Sequence, residues 1–335
     1  MDIGLGMAVR NHPGRPEPLP AVYRDYLDDA VYAEELGFDH VWVGEHRMTE
    51  DQWTPSPLVT LAAIAARTST IRLGTGVLCL PFHNPLRVAE DFAVLDNISN
   101  GRVSVGFGVG SQYEEFRTFG VDPAHRLPMT YEAASFIRRC FTETDTFSHY
   151  GTYYQFDEVT FTHPPVQHEI PFYASAMGPK SIARAAADGY FLLAPRQPAY
   201  DEALTACGRD PSQFKAINMQ NVCIAATHGR AVEASLDGLH YAINFYALRR
   251  DLKGNVPDPQ TAEVTREHIA SGKPSTMGIP AVGTPDEVTE MLRQSIQAMP
   301  GTTGFMISFR HAGMRTEDVR ESMKLFAEHV MPNLD

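Results

Sequence analysis

The sequence predicts an α/β fold, a (β/α)8 TIM barrel, on three observations. Short apolar runs alternate with longer helical patterns almost from end to end, the number of such units is close to eight, and no linker composition interrupts the 335 residues. A doubly wound open sheet is the alternative that the same alternation permits. The chain reads as one domain, 1–335, with no short-period repeat and no low-complexity tract.

Residues 3–9 read as the first strand. Helical spacing follows over 23–36 (Tyr23, Tyr26, Leu27, Ala30, Val31, Ala33, Glu34) and stops at Gly37, the residue type favoured just past a helix. Residues 38–43 are a strand, 57–66 an apolar small-residue helix, 71–78 a strand, and 88–98 a helix ending in the turn Ser99-Asn100-Gly101. Strand 103–109 and helix 129–141 come next. Strands at 171–175, 190–193 and 217–225 alternate with helices at 179–187 and 231–248. The chain closes on helix 285–298, strand 304–309 and helix 316–330. Two stretches break the rhythm. Residues 142–171, rich in aromatics and turns, read as an inserted hairpin, and 249–282, with no clear strand, as a candidate mobile lid.

The composition narrows the function. A net charge of −13 argues against a general nucleic-acid or anionic-membrane role, which needs a basic face. Cys79, Cys140, Cys207 and Cys223 form no CxxC pair and read as thiols of a reducing compartment. The start lacks a basic segment followed by an apolar one, and no apolar run approaches a membrane span, so the expected location is cytoplasmic.

In a barrel, chemistry sits at the carboxyl ends of the strands. The ends here carry Met7 and Ala8, then Gly44-Glu45-His46-Arg47, Gly74-Thr75-Gly76-Val77, Gly106-Phe107-Gly108-Val109-Gly110, and Ala174-Ser175-Ala176-Met177-Gly178. Glycine lets backbone approach a ligand. Singly these glycines read as packing or turn residues; as a set they suit one flat ligand lying across the barrel mouth. Two phosphate fingerprints fail, since Gly106-x-Gly108-x-Gly110 lacks the dinucleotide spacing and Gly178-Pro179-Lys180-Ser181 lacks the upstream glycine of a P-loop. Ser175, Met177, Gly178 and Ser181 nevertheless lie on a strand-to-helix turn with Pro179 near the first helical position. That is either an anion site or simple serine capping.

His46 is the first catalytic candidate, because it follows Glu45 at a strand end and imidazole exchanges protons near neutrality. Glu45-His46 has no second ligand at helical offset, so no metal site is expected. His163 and His168 fall in the turn-rich insert and read as surface residues. No GxSxG elbow supports a serine hydrolase. Tyr113 and Phe107 are candidates to line the site or to be ordinary packing. The Ala-rich helix 57–66 is a candidate for a subunit contact or for barrel packing.

Residues 33–46 (Ala-Glu-Glu-Leu-Gly-Phe-Asp-His-Val-Trp-Val-Gly-Glu-His) resemble the opening of the luciferase-like flavin monooxygenases. Leu73-Gly74-Thr75-Gly76-Val77, residues 80–91, Leu95 to Arg102 and Glu115 to Val121 follow in the family's order. The likeness is dense to about Phe141 and returns at 174–189, 282–292 and 305–332. The resemblance implies an oxidoreductase acting on paired donors with incorporation of O2. It implies reduced FMN bound at the strand ends, a small substrate (aldehyde, ketone or related) oxidised through a flavin peroxide, and a homodimer. It places a glutamate–histidine pair on the second strand, here Glu45 and His46, with the histidine at the chemistry. It also implies a non-prolyl cis peptide on the third strand, matching Gly76-Val77. With no dinucleotide fingerprint, reduced flavin is expected from a separate reductase.

The chain departs from luciferases proper. Arg47 stands where they carry a second histidine, Gly108 where they carry a reactive cysteine, and Val109 where an arginine contacts phosphate. These changes argue against light emission and leave the phosphate to Ser175, Ser181 and the backbone near Met177 and Gly178. The expected cofactor contacts are therefore Met7, Ala8, Gly76, Val77, Gly108, Gly110, Ser175, Met177, Gly178 and Ser181. The Gly-Pro-Lys turn resembles the branch that uses a deazaflavin coenzyme for hydride transfer, which is the alternative cofactor. A non-catalytic flavin-binding protein is the third reading.

Overall fold

Strand and helix alternate as the apolar spacing requires in the computed structural model, which describes residues 1–275 and 278–334. Thr276 and Met277, inside the expected lid, and Asp335 lie outside the described residues. The first half runs β1 Asp2–Met7, α1 Leu19–Glu35, β2 His40–Val43, α2 Pro57–Ala65, β3 Arg72–Thr75, β4 Leu78–Cys79, α3 Pro85–Ser99, β5 Val103–Gly108, α4 Tyr113–Phe119 and α5 Arg126–Thr142. A hairpin, β6 Phe147–Tyr150 and β7 Gln155–Val159, leads to β8 Phe172–Ala174, α6 Pro179–Asp188, β9 Phe191–Leu192 and α7 Pro198–Ala206. The chain continues with β10 Ile217–Ile224, α8 His228–Ala247, α9 Pro259–Ala262, α10 Arg266–Ala270, β11 Ala281–Gly283, α11 Pro285–Ala298, β12 Gly304–Ser308 and α12 Thr316–Leu325.

Apart from the β6–β7 hairpin, the strands pair in parallel in the order β11-β10-β12-β1-β2-β3-β5-β8-β9, with β4 beside β5. The sheet is strongly curled. Leu192 of β9 makes a parallel bridge to Ala216, just before β10, and its N–H donates to Lys215 O at 3.0 Å. Helix ends are set by local chemistry: Asn84 accepts from Leu86 N and Arg87 N to start α3, and Asn100, at φ 56°, ends it. Arg102, from the sequence motif after that helix, is buried and donates to the carbonyls of Ala65, Thr68, Ile71 and Ser99, fastening α2 and α3 to the sheet. Its role is architectural.

Side-chain alternation along β1 separates two cores. Ile3, Leu5 and Met7 point outward into the main core between sheet and helices. On the other face, a Cβ added at Gly4 would meet the Trp42 ring at 2.8 Å, and one at Gly6 would meet Met306 at 2.9 Å. Trp42, fully buried, fills the inside of the curl with Tyr173, Leu193, Ile217 and Met306. A Cβ at Gly74 would also collide with the Trp42 ring, and one at Gly106 with Thr75 O. Gly4, Gly6, Gly74 and Gly106 are therefore packing glycines, the reading each strand glycine has when taken singly.

The structure differs from the sequence expectation in three places. The strand expected over 71–78 is broken into β3 and β4 by Gly76-Val77, whose peptide bond is cis. The seven-residue α4, and α7, had not been anticipated. Residues 249–282 hold α9, α10 and the start of β11, a strand of three residues paired to Val222–Ile224 and too short to show a period. Phe107, read from the sequence as lining the site or as ordinary packing, packs in the core against Tyr131, Phe172 and Tyr190.

Candidate active site

His46 and Glu45 follow directly from β2, at the carboxyl end of the sheet, and both are buried. The two side chains part ways. Glu45 Oε1 accepts from Cys79 N–H at 2.7 Å, and Glu45 Oε2 from Arg47 Nη2 at 2.8 Å, with His83 Nε2 3.3 Å from Oε1. Burial works to raise the Glu45 carboxyl, but the hydrogen bonds and charges of His83 and Arg47 outweigh it and hold the group below the usual range. Glu45 thus fixes Arg47 and the end of β4. The carboxylate beside His46 is a different one. Glu115, in the first turn of α4 and fully buried, has Oε1 at 3.5 Å from His46 Nδ1, and the same oxygen accepts from Arg47 N–H at 2.9 Å.

The other face of His46 meets α8. Its Nε2 lies 3.1 Å from the Tyr246 hydroxyl. Trp53 stands edge-on at 4.6 Å between ring centroids, and Phe245 lies at 5.7 Å. Behind them Arg10 sits over the Trp53 ring at 4.7 Å and reaches Asp51 at 3.4 Å, both side chains buried. Burial raises the Tyr246 hydroxyl to about 12, so it keeps its proton at neutral pH. Six buried polar atoms on these residues and Gln112 have no hydrogen-bond partner among the described residues: His46 Nδ1, Arg47 Nη1, Asp51 Oδ1, Trp53 Nε1, Gln112 Nε2 and Glu115 Oε2. Buried polar atoms are usually paired, and such a group of exceptions is what a ligand-binding or reacting site leaves.

The expected cofactor residues divide. Gly76, Val77, Gly108 and Ser175 are neighbours: a Cβ at Gly108 would meet Val77 at 2.7 Å and Ser175 at 3.8 Å, and Gly76 O lies 2.9 Å from a Cβ built on Gly44. Ala8, Gly76, Val77 and Ser175 are half-buried at otherwise buried strand ends. Met7 does not join them. Its side chain is in the outer core and its carbonyl accepts from Gly44 N–H at 3.1 Å, because position 7 shares the outward face of Ile3 and Leu5. Gly110 also lies aside, at φ 73° in the turn into α4, against Phe82 and Phe116. Met177 and Gly178 are exposed on the turn before α6, and the space beside Gly178 is open but for Ser181 Oγ at 3.9 Å. Ser181 Oγ accepts from Gly178 N–H at 3.2 Å and donates to Gly178 O at 2.8 Å, so capping occupies this hydroxyl. The N–H groups of Lys180 and Ser181, in the first turn of α6, have no intrahelical partner to find.

A separate cavity of about 520 Å³ opens at the amino-terminal end of the strands, with Asp2, Asp39, His40, Arg72 and Lys215 in its lining. Lys215 is paired with Asp2 at 2.7 Å, and burial lowers His40 to about 4. It lies at the end of the sheet away from His46.

Residues 1–303 match the family model described as luciferase-like monooxygenase. The chain belongs to this family. A 4-hydroxyprotoasukamycin monooxygenase of Streptomyces nodosus subsp. asukaensis is 27% identical over 97% of this chain and 90% of its own length. An F420-dependent glucose-6-phosphate dehydrogenase of Microbacterium testaceum is 26% identical over 92% of this chain and 93% of its own. Among solved structures, monooxygenase RslO1 from Streptomyces bottropensis superposes with a TM-score of 0.83 at 27% identity, covering 100% of both chains. This member of the luciferase-like family is thus an oxidoreductase by kinship, related to both monooxygenases and F420-dependent enzymes. Sequence reading had named His46 and missed Glu115, Tyr246, Trp53 and Arg10. One signal was available: Tyr241, Phe245 and Tyr246 mark an aromatic face at the end of a long helix.

Proposed function

We propose that the curled sheet is a closed (β/α)8 barrel and that the protein is a flavin-dependent monooxygenase, oxidising a small aldehyde, ketone or related substrate with reduced FMN and O2. The observation that supports it is His46, buried at a strand end between the Glu115 carboxylate and the Tyr246 hydroxyl. The residues fit a flavin. Ala8, Gly76, Val77, Gly108 and Ser175 offer a floor of small side chains for a flat ring. The free N–H groups at the start of α6, with exposed Lys180, suit a phosphate. When bound there, reduced FMN would supply two electrons to O2, so that one oxygen atom could go to the substrate and the other to water. His46 takes and returns a proton, Glu115 steadies the imidazolium, and Trp53 and Phe245 keep water away. Glu45 acts through Arg47 as a positioning residue. A separate reductase supplies the reduced flavin, and residues 249–282 act as the lid.

The kinship with an F420-dependent enzyme supports a second reading, hydride transfer with a deazaflavin coenzyme. Anaerobic titration with reduced FMN and, separately, with reduced F420 decides between them. Tight binding of reduced FMN, followed by substrate-dependent O2 uptake on a panel of aldehydes and ketones, is the expected result. Binding of F420 alone, with activity in the absence of O2, would move the assignment to hydride transfer. Binding of FMN without any turnover would leave a non-catalytic flavin protein.

The proposal includes a homodimer. Val59 of α2 is 71% exposed, and Val94 and Ile98 of the adjoining α3 are exposed too, an apolar surface that suits a subunit contact. Sedimentation should give twice the 37.1 kDa chain mass, and Val59→Asp with Ile98→Asp should return it to a single chain. A wild-type protein sedimenting as one chain would end this part of the reading.

A further inference from the structure

We propose that Tyr246, near the carboxyl end of α8, is a positioning residue that holds His46 in one tautomer, protonated at Nδ1 with the Nε2 lone pair accepting from the Tyr246 hydroxyl. The proposal rests on the reading of His46 as the group that moves the proton. Two different acceptor preferences meet across this ring. Glu115, 3.5 Å from Nδ1 and short of a hydrogen bond to it, offers only lone pairs on that side, so its charge favours N–H at Nδ1. Nε2 then presents a lone pair, and the Tyr246 oxygen stands 3.1 Å from it. A buried tyrosine keeps its proton and donates it to that lone pair.

The residue type matters. A hydroxyl donates to neutral imidazole and, by rotating, accepts from the imidazolium, so His46 can gain and lose a proton without losing its orientation. A carboxylate at the same place would favour the charged form alone. The tyrosine ring is itself held, edge-on to Phe245 at 5.1 Å and under the Arg249 guanidinium at 5.1 Å, while Arg249 donates to Ser111 Oγ at 2.8 Å. The same hydroxyl therefore ties the imidazole to α8, the last long helix before the 249–282 loop.

Tyr246→Phe keeps the ring and its packing and removes only the oxygen. Long-range 1H–15N NMR of protein labelled at histidine nitrogen, with His46 assigned through His46→Gln, reads the tautomer without substrate or cofactor. The wild type should show His46 protonated at Nδ1, and Tyr246→Phe should show a mixture of tautomers. In turnover with reduced FMN and O2, kcat should fall about threefold to tenfold while KM changes less than twofold, the loss expected of one hydrogen bond. His46 protonated at Nε2 in the wild type, or an unchanged tautomer and kcat in Tyr246→Phe, would overturn the proposal. If the wild type shows no oxygenase turnover, the functional reading fails, and the NMR result still decides the role of Tyr246.

Discussion

Replacing His46 by alanine is expected to lower oxygenated product formation by about 10²- to 10⁴-fold, the range of a lost general acid–base group. Reduced FMN and O2 should still be consumed, with hydrogen peroxide appearing in place of product. The reason lies in the division of labour at the site. The strand ends and the first turn of α6 are built from backbone and small side chains that the substitution leaves alone, so binding of reduced FMN should change less than twofold. What disappears is the one imidazole placed between Glu115 and Tyr246. Because His46 also packs on Trp53, His46→Gln serves as a variant of closer size and should behave the same way. Product analysis beside a peroxide assay checks this, and normal product yield from either variant would remove His46 from the chemistry.

The largest expected effect on stability comes from Trp42→Ala. Trp42 is fully buried inside the sheet, stacked on His40 at 5.3 Å, edge-on to Tyr173 at 5.2 Å, and pressed against Gly4 and Gly74. The surrounding strands are held by their parallel ladders, so the wall cannot collapse into the space. A cost of about 3–5 kcal/mol is expected, toward the upper end of large-to-small core substitutions. The indole Nε1 has no hydrogen-bond partner among the described residues, so Trp42→Phe loses packing alone and should cost about half as much. Urea unfolding at fixed pH measures both. A Trp42→Ala variant within about 1 kcal/mol of wild type would mean that this side chain does not hold the interior.

The elements were legible because their causes are local. Gly37 past α1, Asn84 and Asn100 at the ends of α3, and Thr284 with Glu287 at the start of α11 are capping chemistry readable in the order of residues. The outward placing of Met7 was legible as well, since Gly4 and Gly6 alternate with Ile3, Leu5 and Met7, and a period of two assigns position 7 to the outer face. Gly4 and Gly74 are accounted for by Trp42, whose ring a Cβ at either position would meet. The helix α4 was hidden in a seven-residue segment, shorter than a hydrophobic period can establish.

By itself the sequence determined most of the strands and longer helices, and that His46 stands at a strand end, because spacing and capping act over a few residues. Only the tertiary structure decided what surrounds that histidine. Glu115 lies 69 residues further along the chain and Tyr246 lies 200. Glu45, the neighbour in sequence, is directed instead to Arg47, His83 and the Cys79 amide. Curling the sheet brings β2, α4 and α8 to one end. Burial there makes each polar atom's partner a matter of distance and direction, which no local pattern encodes.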